Sequence, residues 1–224
     1  MQCRPRLPLG FFYVAPMAVF LLLTTLEGVV PRSTYPFVYG LKLLCVGALL
    51  FWCVPRWRQE FRPDWRAAGL ALGAGLAGFG FWVLLDPVTP HFAILGQRSI
   101  FNPMVEIGDS NTRLIFIAMR LFGMAVVVPV MEEVFWRSFL LRYLTDEVAW
   151  QRLPVGRYSW RAVGLGTLFF SLAHPEWLAA AVFAGLMTGL CRKTGNLFAA
   201  TLAHGMTNLA LGLYVLFTGM WRYW

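Results

Sequence analysis

The sequence predicts an all-α membrane protein of one domain, with seven transmembrane helices and an inward-facing N-terminus. Three observations carry this. Of its 224 residues 58% are hydrophobic and only 13% charged, where a soluble domain is about a quarter charged. Mean hydropathy is +0.62, and the apolar residues fall in runs long enough to cross a bilayer. The cations also alternate between connecting segments, as membrane topology requires. That alternation accounts for the net charge of +8 without invoking nucleic acid.

Taken in order, residues 9–26 are apolar for longer than a signal-peptide core and lack a small-residue cleavage site, so they read as a retained first span. Residues 29–33, with Pro31, form a short loop. The second span covers 35–54 and contains Lys42, and a basic loop follows at 55–66. The third span, 67–85, repeats small residues at Gly69, Gly73 and Ala77, a spacing that permits close helix approach. Residues 86–112, with Pro87, Pro90 and Pro103, are expected to be irregular and to lie at the membrane surface or partly re-enter it. The fourth hydrophobic element runs from Arg113 to about Leu144, about 45 Å of helix. Pro129 is its expected kink point. After a basic loop, short spans at 162–174 and 176–191 flank Pro175, and a final span runs from Gly195 or Asn196 to Phe217.

With the N-terminus inside, the inner segments hold Arg4, Arg6, Arg56, Arg58, Arg62, Arg66, Arg142, Arg152, Arg157, Arg161, Arg192 and Lys193. The outer ones hold only Arg32, Arg98, Arg113 and Arg222. Dropping one span would scramble this division. Residues 1–112 then supply three spans and the surface segment, and 113–224 the core helices that carry the chemistry.

That chemistry centres on Met131 Glu132 Glu133 Val134 Phe135 Trp136 Arg137. A charge at the centre of an apolar span costs about 2.5–3.5 kcal/mol on insertion scales, so such residues pair with one another or line a site. Few other polar residues sit inside the later spans: His174, His204 and Asn208 are the notable ones. Counting back from the inner ends places Glu132, His174 and His204 about 20, 21 and 14 Å deep on three different helices. Glu133 and Arg137 are spaced i, i+4 and can pair, which leaves Glu132, about 100° further round the helix, pointing elsewhere. Phe170 and His174 share a face, as do His204 and Asn208. The residue types permit a glutamate base activating water with histidine and asparagine at an oxyanion, a zinc site, a proton relay, or a buried ion cluster that only packs helices. No H-E-x-x-H occurs, and the four cysteines have no zinc-like spacing.

Three motifs occur in order, each on its own hydrophobic helix: E-E-x-x-x-R (Glu132 to Arg137), F-x-x-x-H (Phe170 to His174) and H-x-x-x-N (His204 to Asn208). Together they resemble the intramembrane glutamic endopeptidases of the CAAX protease and bacteriocin-processing family. The short chain is similar to the CAAX-protease-like proteins of exosortase-bearing bacteria. The resemblance covers about residues 113–216. It implies an endopeptidase of a bacterial inner membrane that needs no metal or other cofactor. Its substrate would be a membrane-associated or C-terminal-motif peptide. By the family pattern Glu132 activates water, assisted by His174. His204 and Asn208 hold the oxyanion, while Glu133 and Arg137 brace the site.

Overall fold

The computed structural model describes residues 7–95 and 100–224, and every regular element among them is helical. Seven helices build the bundle: α1 (Phe11–Glu27), α2 (Tyr35–Trp57), α3 (Trp65–Leu85), α4 (Ser110–Thr145), α5 (Trp160–Leu172), α6 (Trp177–Thr194) and α7 (Leu197–Thr218). Four of them, α2, α3, α4 and α7, are long and apolar enough to cross a membrane. α1 is apolar but shorter, at 17 residues. Large side chains such as Leu44, Phe51, Leu84, Leu114 and Phe217 are exposed on the outer faces. An apolar surface that extensive suits lipid rather than water.

Several elements differ from expectation for identifiable reasons. Segment 86–112 is only partly irregular: it contains 3₁₀ turns at Asp86–Val88 and Ala93–Leu95 and one helical turn at Pro103–Glu106. Buried Asp86 ties it to the C-terminus by accepting the Tyr223 hydroxyl at 2.7 Å. α4 starts ahead of Arg113 because Asp109 caps it, its carboxylate accepting the Thr112 amide at 2.7 Å. α5 ends at Leu172, so His174 lies in the turn beyond the helix. Cys3, Arg4, Arg6 and Arg98 lie outside the described residues.

Pro129 does not break α4. A π-helical turn, Gly123–Val127, precedes it, closed by the Val128 amide donating to the Gly123 carbonyl. Proline has no N–H, so the Met124 and Ala125 carbonyls receive nothing from position 129. α7 covers both. Asn208 Nδ2 donates to Met124 O at 2.9 Å, and a Cβ on Gly205 would sit 2.5 Å from Ala125 O. A second π segment, Val134–Leu140, includes Arg137. Turns of this kind are frequent at functional sites.

The close approach of α3 uses a different face from the one expected. Gly69, Gly73 and Ala77 are exposed, and nothing lies within 4 Å of a Cβ added at either glycine. Ala67, Ala71, Gly75 and Gly78 face the bundle instead. A Cβ on Gly75 would meet the Ala203 carbonyl at 2.5 Å, and the Thr207 hydroxyl donates to Gly75 O at 2.7 Å. α3 thereby docks against α7. Lys42 is buried and pairs with Glu27 at 2.6 Å.

Candidate active site

Glu132 and Glu133 end the α-helical stretch of α4 between its two π segments. The Glu133 side chain is completely buried, and its Oε1 accepts two charged or polar donors. Arg137 Nη1 lies at 3.1 Å and His204 Nδ1 at 2.8 Å. A carboxylate only accepts, so His204 carries its proton on Nδ1 and directs Nε2 away from Glu133. Arg137, 1% exposed, is neutralised in place by Glu133, which such deep burial demands.

An aromatic layer links the remaining motif residues. The Arg137 guanidinium sits 4.9 Å from the Phe170 ring centroid. His174 stacks on Phe170 at 4.6 Å, and its Nδ1 donates to the Phe170 carbonyl at 2.8 Å. Phe183 of α6 stacks on Phe170 at 6.0 Å and meets His204 edge-on at 4.8 Å. Trp82 of α3 stands edge-on to both His174 and Phe183. The F of the second motif thus packs against Arg137 and His174, and through Phe183 it connects to His204. Trp82 and Phe183 were not among the sequence candidates. Neither carries a polar motif, and only the packing of α3 and α6 brings them here.

Glu132 is the contrasting member. It is 9% exposed, and its Oε2 is buried without a hydrogen-bond partner among the described residues. Glu133 Oε2 is likewise buried without a partner, but Glu133 Oε1 is committed to Arg137 and His204, whereas no described side chain donates to Glu132. Asn208 uses one amide N–H on Met124 O, leaving the second. The floor of the site is fixed by Tyr158, which donates to the Arg137 carbonyl at 2.9 Å. Burial, and next the nearby Cys191, push the Tyr158 phenol well above its ordinary pKa, so it stays a donor. A cavity of about 10 Å³ lies behind Arg137, against Gly166 and Thr188. That is room for one water. Among the described residues no three His, Cys, Asp or Glu side chains group to hold a metal ion.

The fold and these residues define a class: a helical membrane protein with a buried glutamate–arginine–histidine centre. Residues 114–210, a stretch containing all seven motif residues, match the family model described as type II CAAX prenyl endopeptidase Rce1-like. Over that stretch the chain is similar to the Rce1-like family. The apolar helices and this family together support an integral membrane protein. Comparison with curated proteins and with solved structures gives no match.

Proposed function

We propose that this chain is a metal-independent intramembrane endopeptidase in which Glu132 activates the water. The family match supports a CAAX-type membrane protease. The observation that carries the finer reading is the unequal state of the two glutamates. Each has a buried Oε2 with no partner among the described residues, but Glu133 is held through Oε1 by Arg137 and His204, while no described side chain holds Glu132.

In this reading Glu132 removes a proton from water, and the hydroxide adds to the peptide carbonyl carbon. The oxyanion forms beside His204 Nε2 and the second N–H of Asn208. The Nδ1 bond to Glu133 fixes the His204 ring, so that Nε2 is aimed in advance at the developing charge, the preorganisation that oxyanion stabilisation requires. Collapse of the intermediate breaks the C–N bond, and the proton held by Glu132 passes to the departing amine. His174, oriented through Nδ1 and Phe170, assists Glu132. The substrate is a membrane-associated peptide or one with a C-terminal motif.

The test is cleavage of a prenylated CAAX peptide by the protein in lipid nanodiscs, followed by mass spectrometry. Hydrolysis is expected to persist in chelator and to disappear in Glu132→Gln. Loss of activity in chelator that zinc restores refutes the glutamate mechanism in favour of a metalloprotease. Full activity in Glu132→Gln removes the catalytic assignment altogether.

A further inference from the structure

A second built site lies at the end of the bundle where α4 and α6 finish and α5 starts. An open cavity of about 530 Å³ is lined there by Thr145, Arg157, Tyr158, Ser159 and Arg192, with Leu153 and Gly156. Two of the lining residues are arginines and none is an acid. Exposed Arg157 makes no side-chain hydrogen bond or ion pair among the described residues. Arg192 donates Nη2 to the Tyr158 carbonyl at 2.6 Å and lies 4.1 Å from the centroid of the Trp160 ring. Its Nε is buried with no partner among the described residues. None of these contacts neutralises either arginine.

The surroundings do not supply the missing anion. Asp146, in the adjoining loop, directs Oδ1 to the amides of Val148 and Ala149. Neither Asp146 nor Glu147 lines the cavity. The N-terminus of α5 adds to the positive potential. Ser159 caps it by accepting the Ala162 amide at 3.1 Å, and the partial positive charge of a helix start favours anions. Trp160, 78% exposed at the first turn of α5, is the residue type that settles at headgroup depth.

We propose that this cavity binds the phosphate of an anionic phospholipid headgroup, with Arg157 and Arg192 as its cationic ligands. The ends of membrane helices meet the headgroup layer, where phosphodiesters are concentrated, and basic pockets between helix ends recognise them. The cavity is many times the roughly 30 Å³ that one water occupies in the liquid, so it takes a phosphate together with its glycerol. Arg192 would hold the phosphate from the buried side, backed by the Trp160 ring, and Arg157 would close over it from solvent.

The experiment is isothermal titration of the detergent-purified full chain with dihexanoyl-phosphatidylglycerol, dihexanoyl-phosphatidylcholine and inorganic phosphate. The anionic lipid is expected to bind at least about tenfold more tightly than the zwitterionic one, an electrostatic preference of the kind basic residues give near anionic lipid. Arg157→Gln should abolish that preference. Its side chain has no partner to lose, so the variant folds. Arg152→Gln removes an equal charge from the same exposed loop, outside the cavity, and should keep the preference. Competition by millimolar inorganic phosphate assigns recognition to the phosphate alone, and absence of competition assigns it to the glycerophosphate; both support the site. Equal binding of the two lipids, or equal loss in the Arg152 and Arg157 variants, overturns it.

Discussion

Replacing Glu133 and Glu132 separately by glutamine distinguishes support from chemistry. Glu133 is wholly buried and accepts from Arg137 and His204 through one oxygen. Glutamine keeps the shape and removes the charge, leaving Arg137, 1% exposed, without its counter-ion. Breaking a buried pair from one side costs about 3–5 kcal/mol. At about 2–4 °C per kcal/mol for a chain of this size, the unfolding midpoint of Glu133→Gln should fall by about 6–20 °C. Glu132→Gln loses no hydrogen bond, because its buried Oε2 has none among the described residues. Its stability should change by less than about 1 kcal/mol, within the ordinary range for a substitution that removes no partner. Its rate should nevertheless drop about 10²–10⁴-fold, the share a general base supplies. The assays are thermal unfolding in detergent and peptide hydrolysis on the same preparations. Equal loss of stability in both variants refutes the division of labour, as does a Glu133→Gln protein that melts like the parent.

Three other outcomes are expected. On α3, Gly75→Ala places a Cβ 2.5 Å from the Ala203 carbonyl, whereas Gly73→Ala meets nothing within 4 Å; the first should cost about 1–3 kcal/mol by overpacking and the second should leave the unfolding midpoint near that of the parent. Asn208→Ala leaves the Met124 carbonyl without the amide it accepts, a loss of about 1–3 kcal/mol, and should lower both the melting midpoint and the hydrolysis rate. For topology, single cysteines at Glu147 and Gly108 in a cysteine-free background should react with a membrane-impermeant maleimide from opposite sides, Glu147 from the inner side; labelling of both from one side rules out the seven-span, N-in arrangement.

Some of this molecule was legible in the sequence and some was not, for physical reasons that differ by residue. The seven hydrophobic runs locate the helices because apolar length is a local property, and the Glu133–Arg137 pair was readable because i, i+4 neighbours meet on a single helix. Helix rotation was not readable. α3 is apolar all round, so no polar stripe identifies its inner face, and Gly69–Gly73 had as good a claim as Gly75–Gly78 until α7 was in place. The same limit hid the His204 bond to Glu133, which joins residues 71 positions apart, and concealed Trp82 and Phe183, whose roles exist only after packing.

Pro129 gives the deeper example. Its missing N–H was visible in the sequence and suggested a kink. The physical consequence is an acceptor demand: the carbonyls it leaves unmet face α7, and α7 answers with Asn208 and with the absence of a side chain at Gly205. His204 lies one helical turn from Asn208 and binds Glu133 on the same helix as Pro129. The first and third motifs are therefore clamped at two heights, once by a charged pair and once by an orphaned carbonyl. A helix held at two points resists rotation as well as translation. That is what a centre needs if Glu132, a residue with no hydrogen bond of its own among the described residues, is to keep its position relative to His204 and Asn208 during turnover.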